Sequence, residues 1–198
     1  MAKPVLNVII CSTRPGRIGP AIANWMFDVA KAQGHFEAEL TDLIEFKLPL
    51  FDEPHHPMRL QYQHEHTRAW SKHVNHADAV IFVTPEYNYG PPPSLLNALD
   101  YLYFEWNYKP AGFVSYGGLS AGMRSSARAA MTATTLRMMP IPETVALPNV
   151  VKQLQDGRFE ANELNLKGAN TMLAELAKWE EALRGLRTQH RTTVLASL

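Results

Sequence analysis

Three short segments of the chain are apolar almost without interruption: residues 5–11 (VLNVIIC), 77–84 (ADAVIFVT) and 110–116 (PAGFVSY). A strand with one wet face alternates apolar and polar side chains, whereas a strand covered on both faces need not alternate. The three runs therefore read as doubly buried strands, the habit of parallel sheets. Each stops at turn-forming residues and gives way to a helical pattern. The first is followed by Ser12-Thr13-Arg14-Pro15-Gly16-Arg17, then by Ile18, Ile22, Trp25, Met26 and Val29 at helical spacing over 18–32. The second ends in the proline-rich turn 85–93, with a helix predicted from Ser94, its expected N-cap, to about Phe104. The third ends at Gly117-Gly118 and leads into a helix to about Met138.

The rest of the chain fits this frame. Residues 36–43 (FEAELTDL) alternate as a further strand, Val145 and Leu147 suggest a short fifth strand, and 161–186 reads as a terminal helix. A polar surface helix is expected over 63–75. The stretch 45–65, with Pro49, Pro54 and Pro57, reads as a long loop of the kind that often carries function. Five strands alternating with helices predict an α/β fold built on an open, doubly wound sheet. With 198 residues and no linker, repeat or low-complexity segment, a single domain over 1–198 is expected.

Charge and cysteine content narrow the function. Lys+Arg and Asp+Glu number 19 each, so no basic excess suits a nucleic-acid binder and no acidic excess suits a carrier that docks by charge. Cys11 is the only cysteine, which rules out a disulfide framework or a cysteine-rich metal site and fits a reducing cytoplasm. The first residues lack the basic and long apolar regions of a signal peptide. No apolar run approaches the ~20 residues needed to cross a bilayer. A cytoplasmic protein with no membrane or nucleic-acid partner is the expectation.

In an open α/β sheet, ligands sit beyond the carboxyl ends of the strands where the strand order reverses. Three loops converge there. In 12–19, Ser12 and Thr13 offer hydroxyls, Arg14 and Arg17 offer forked donors suited to phosphate, and the next helix presents its N-terminus. The spacing is neither G-x-G-x-x-G nor the lysine-bearing P-loop. A turn with two solvated arginines is the plainer reading. In 84–93, Glu86, Tyr87 and Asn88 on a proline-stiffened loop can orient a planar heterocycle, or simply cap the core with a tyrosine. In 115–122, Ser115, Gly117 and Gly118 let main chain lie flat against a ligand, or form a helix-entry turn capped by Ser120.

Other features are weaker. Six histidines lie between His55 and His76, but His-His and His-x-His spacings fall short of a metal site, so surface positions near a lid are expected. Cys11 reads as a buried thiol. Tyr101, Tyr103, Phe104, Trp106 and Tyr108 crowd eight residues, more than one face can bury, and suggest an oligomer interface.

Taken together, Ser12-Thr13-Arg14-Pro15-Gly16-Arg17, Pro85-Glu86-Tyr87-Asn88, Leu95-Leu96-Asn97-Ala98-Leu99-Asp100 and the Gly-Gly loop resemble the signature segments of NADPH-dependent FMN reductases over about residues 5–150. Arg17 and Gly19 stand where many relatives carry Ser and Asn, and Leu96 where they carry Lys. The resemblance implies a flavodoxin-like three-layer fold with a five-stranded parallel sheet. It implies noncovalent FMN, NADPH or NADH as co-substrate, and assembly as a homodimer or homotetramer. By it, Ser12, Arg14, Arg17 and Ile18 hold the phosphate, Pro85, Glu86, Tyr87 and Asn88 line the isoalloxazine, and Ser115, Gly117 and Gly118 close its other edge. Backbone N–H groups of 86–88 are expected to tune the ring. It further implies an FMN-dependent NAD(P)H oxidoreductase acting on flavin, quinone, azo or metal-ion acceptors without an obligatory side-chain base. The alternatives are a non-enzymatic electron carrier and a flavin-binding redox sensor.

Overall fold

The computed structural model describes residues 2–196. Strands β1 (Val5–Ile10), β2 (Glu37–Asp42), β3 (Ala79–Pro85), β4 (Pro110–Tyr116) and β5 (Met139–Leu147) form one sheet in the order β2-β1-β3-β4-β5. All neighbouring pairs are parallel. The helices are α1 (Gly19–Gln33), α2 (Leu43–Phe46), α3 (Glu65–His76), α4 (Pro93–Asp100), α5 (Met123–Thr135) and α6 (Glu163–Ala196). A small antiparallel pair, β6 (Leu154–Gln155) and β7 (Arg158–Phe159), precedes α6 and sets Phe159 edge-on against Trp25, ring centroids 5.0 Å apart.

The unbroken apolar runs serve two cores. Leu6, Val8 and Ile10 of β1, with Ile81 and Val83 of β3, pack against Ile22 and Met26 of α1 and Met172 and Leu176 of α6. The intervening residues Ile9, Val80 and Phe82 face Trp70 of α3, Leu95 and Leu99 of α4 and Ala133 of α5. Successive strand residues point to opposite faces, so a sheet covered twice selects apolar side chains at every position. The result is the expected flavodoxin-like three-layer α/β sandwich. Asn7 is the polar exception inside β1. It is fully buried, accepts the Thr41 hydroxyl and donates its amide to His73 Nε2 at 2.8 Å.

Several boundaries differ from those expected of the sequence. The fifth strand runs for nine residues and includes Pro140 and Pro142. Proline is tolerated there because β5 is an edge strand. The Met139 N–H donates inward to the Lys109 carbonyl, so Pro140, one residue on, turns its nitrogen away from the sheet, and Pro142 lies where the register with β4 slips between Pro140 and Thr144. The fourth helix stops at Asp100, and a separate 3-10 turn, Phe104–Trp106, follows. Ser94 does not cap that helix; its hydroxyl donates to the Cys11 carbonyl and ties α4 to the end of β1. Ser120 is likewise not the cap of α5, a place taken by Gly122. The terminal helix continues to Ala196.

The crowded aromatics are taken up by the chain itself. Tyr101 and Trp106 are fully buried, and Phe104 and Tyr108 pack on His190 of α6. Their number therefore gives no argument for a second copy. The proline-bearing loop is also well anchored. Asp52 accepts the Tyr101 hydroxyl at 2.8 Å, and Glu53 accepts the Gln63 and His64 N–H groups at 2.8 and 3.1 Å. His66 and His64 lie 3.1 and 3.9 Å from Asp52. No cluster of three or more potential metal ligands forms among the described residues. None of the described helices is long and apolar enough to cross a membrane.

The candidate functional site at the sheet edge

After β1 the chain moves to β2 on one side and then to β3 on the other, so the strand order reverses between β1 and β3. Helices leaving in opposite directions open a crevice at such a point. A cleft of about 520 Å³ lies there, and it gathers eight of the eleven expected side chains: Arg14, Arg17, Ile18, Pro85, Glu86, Tyr87, Gly117 and Gly118. Ser12, Asn88 and Ser115 are not on its wall. Ser12 is fully buried beneath the first loop, where its hydroxyl accepts from Tyr116 at 3.2 Å. Ser115 spends its hydroxyl on the Ala121 carbonyl at 2.9 Å, closing the third loop from below. Asn88 sits exposed at a turn tip.

The first loop is braced from within. Arg17 donates to the Ser12 carbonyl at 2.9 Å and pairs with Asp42, which also caps α2 through the Ile44 N–H. Arg14 is exposed and has no carboxylate within ion-pair reach among the described residues. Helix α1 starts from Ile18 without a side-chain cap and without an acidic residue in its first turn. Pro20 has no N–H and the Ala21 N–H donates to the Ile18 carbonyl at 3.1 Å, so the Ile18 and Gly19 N–H groups are the ones left for an outside acceptor. Gly19 is required by close approach: a Cβ there would stand 2.5 Å from Ser12 Oγ and 2.8 Å from the Tyr116 hydroxyl.

The second loop is a two-residue hairpin turn. Tyr87 and Gly90 exchange backbone bonds at 2.9 and 3.0 Å, with Asn88 at φ 50° and Tyr89 at φ 66°. Positive φ at both central positions is the type I′ pattern. This changes the expectation for the N–H groups of 86–88. That of Glu86 donates to the Tyr116 carbonyl and that of Tyr87 to Gly90, leaving Asn88. Glu86 itself accepts the Arg124 guanidinium at 2.7 Å and the Arg124 backbone N–H at 3.2 Å. Burial pushes the Glu86 carboxyl up, but the bonds from Arg124 and the Ser120 hydroxyl outweigh it and hold the pKa below its ordinary value. The Arg124 guanidinium also lies 4.1 Å over the Tyr89 ring.

The third loop is held by a segment that the sequence pattern does not single out. The Asn149 and Val150 N–H groups donate to the Gly118 and Gly117 carbonyls at 2.9 and 3.2 Å, and Val150, Val151 and Lys152 line the cleft. The one local signal for it is Asn149 after Pro148, since Asn tolerates the left-handed conformation found there, φ 47°. Tyr116 also lines the cleft. Burial drives its phenol pKa upward, so it stays protonated. Gly122, at φ 76°, tolerates no side chain, because a Cβ would lie 2.6 Å from the Tyr116 backbone nitrogen.

Comparison with known proteins agrees with this architecture. The family model described as NADPH-dependent FMN reductase matches residues 5–152. An NAD(P)H-dependent FMN reductase of Schizosaccharomyces pombe is 46% identical over 121 residues, which is 60% of either chain. The NAD(P)H-dependent FMN reductase ntnL of Nectria sp is 33% identical over 197 residues, 94% of either chain. Among solved structures, FerB, a flavoenzyme NAD(P)H:(acceptor) oxidoreductase from Paracoccus denitrificans, superposes with a TM-score of 0.72 at 21% identity, over 90% of this chain and 98% of its own. A flavodoxin from the domain Archaea gives 0.58 at 10% identity, over 90% and 99%. The names of the two curated relatives carry both NAD(P)H and FMN, and that of FerB a flavin and NAD(P)H. The chain belongs to the NADPH-dependent FMN reductase family.

Proposed function

We propose that the cleft holds FMN and that the protein is an FMN-dependent NAD(P)H oxidoreductase. The observation that carries this reading is the first loop: an uncapped fifteen-residue helix behind an unpaired guanidinium, Arg14, on the wall of a cleft at the strand-order reversal. Helix N-termini and arginine forks bind phosphate for the same electrostatic reason. The chemistry of the wall suits the rest of the group. Gly117 and Gly118 and the Pro85–Tyr87 segment line the same cleft, glycine leaving main chain bare on one part of the wall and proline stiffening the other. A Cβ on Gly118 would meet no atom within 4 Å, so that position is left open to a ligand.

In this reading Arg14 and the N–H groups leading into α1 hold the phosphate, and Arg17 and Ser12 keep the loop in shape. Pro85, Glu86 and Tyr87 line the ring, Gly117 and Gly118 form its other edge, and Ser115 closes that loop from below. Bound FMN supplies hydride transfer from a nicotinamide and onward reduction of an acceptor, so no side-chain base is required. Flavins, quinones, azo compounds and metal ions are the acceptor classes proposed. Exposed Val151 on the wall, with exposed Leu119 next in the chain to Gly118, suits a second copy of the chain or an apolar acceptor lying over the cleft.

The test is the visible spectrum of the purified protein with FMN, followed by NADPH without oxygen. Flavin bands that bleach within the mixing time support a reductase. Bound flavin that stays oxidised points to a carrier or a sensor. Failure to bind FMN removes the reading. Light scattering then gives the number of copies.

A further inference from the structure

A second cavity, of about 230 Å³, lies at the opposite end of the sheet between α3, the turn after α4 and the last part of α6. Asn75, on its wall, precedes Asp78, whose carboxylate receives the N–H of Val5 at the start of β1. The cavity is therefore separate from the cleft at the strand ends. Leu60, Phe104 and Val194 make its apolar wall, and Glu105 and Arg191 bring charge to it.

These two charges stand in different situations. Glu105 is satisfied: it accepts the Tyr62 hydroxyl at 2.9 Å, the Ser71 hydroxyl at 2.6 Å and the Tyr103 N–H at 3.3 Å. Arg191 is half-buried, and its guanidinium donates to the Asn75 carbonyl at 2.8 Å. The carboxylates that could neutralise it are taken by Arg187, which holds Asp78 at 3.0 Å and Glu180 at 2.6 Å. Burial, and then the Arg187 charge, disfavour the charged form of Arg191. Lys109, fully buried nearby, spends its amine on the Val74 carbonyl, and burial pushes its pKa down. A half-buried guanidinium that no carboxylate among the described residues contacts within ion-pair distance is stabilised by an anion that reaches it.

We propose that this cavity binds a small monocarboxylate with a compact apolar body, such as a single aromatic ring. The carboxylate pairs with Arg191, and the ring lies against Leu60, Phe104 and Val194. The volume equals about eight water molecules at ~30 Å³ each, room for a ring of six atoms and its carboxyl group. Because the Glu105 carboxyl shares the wall with Arg191, each further negative charge on a ligand adds repulsion, which favours a single carboxylate over a doubly charged phosphate.

Benzoate is the probe, titrated by ligand-observed NMR into the full chain as purified and with FMN added. Saturable binding is expected in both, at least tenfold tighter than that of benzyl alcohol, its uncharged counterpart. Arg191→Gln should weaken benzoate at least tenfold, and Val194→Phe, which places a ring in the cavity, should abolish binding. Circular dichroism checks that both variants fold. Arg14→Gln, in the cleft, should leave benzoate binding to the protein as purified unchanged. The proposal is overturned by the absence of saturable binding, by equal affinity for benzyl alcohol, or by loss in Arg14→Gln with Arg191→Gln unaffected.

Discussion

The Glu86 carboxylate receives both the guanidinium and the backbone N–H of Arg124, at 2.7 and 3.2 Å, so one side chain clips the loop after β3 to the first turn of α5. The two walls of the cleft are thereby held at a fixed separation. Removing the carboxylate in Glu86→Ala should leave the core intact and loosen the site. FMN affinity is expected to fall about tenfold, equivalent to ~1.4 kcal/mol, with little change in thermal midpoint. Flavin fluorescence titration beside a thermal melt checks both. The clip should survive mild acid, because the Glu86 pKa is held below its ordinary value of 4.5. Its contribution is complete above that value and is lost as pH falls through the lower folded-state pKa.

Arg14 and Arg17 share a loop but do different work. Arg14 is exposed and unpaired, whereas Arg17 is committed to Asp42 and the Ser12 carbonyl. Arg14→Gln should weaken FMN by about tenfold and leave riboflavin, which lacks the phosphate, unaffected. Arg17→Gln should weaken both, since it releases the loop itself. Parallel titrations with the two flavins separate these outcomes.

Two glycines test space against shape. Gly19→Ala forces a methyl group to within 2.5 Å of Ser12 Oγ and 2.8 Å of the Tyr116 hydroxyl. Both partners are buried, so a loss of about 1–3 kcal/mol in urea unfolding is expected. Gly118→Ala meets no atom within 4 Å and should fold as well as the parent while binding FMN less tightly.

His73 couples stability to pH. Its Nε2 accepts from the Asn7 amide at 2.8 Å and must be unprotonated to do so. Burial lowers the His73 pKa below its ordinary 6.5. The stabilisation is therefore complete above 6.5 and declines as pH falls from there through the folded-state value, because the unfolded chain takes up the proton first. Urea midpoints measured from neutral pH downward should show this decline, and His73→Phe should flatten it.

The terminal helix is pinned by charge as well as by apolar packing. Arg187 is almost fully buried between Asp78 and Glu180, at 3.0 and 2.6 Å. Arg187→Met leaves the Glu180 carboxylate in the interior with Arg184, itself half-exposed, as its remaining partner. A loss of about 3–5 kcal/mol is expected in chemical denaturation. The double variant Arg187→Met with Glu180→Leu should recover part of it.

The layered fold was legible in the residues themselves. Strands such as Val5–Ile10 and Ala79–Pro85 announce two-sided burial through uninterrupted apolar composition, and strand-loop-helix repetition leaves few other architectures. The loops of the cleft were legible too, since arginine, glycine and proline carry their chemistry locally. What a linear pattern does not carry is partnership between distant positions. Only the folded chain decides that Arg17 is spent on Asp42, that Glu86 belongs to Arg124, and that Asn149 to Lys152 form part of the cleft wall. It also decides that Phe104 and Tyr108 lie against His190. Burial pattern is a property of each residue and its near neighbours, whereas a hydrogen bond or ion pair is set by atoms that sequence leaves dozens of positions apart.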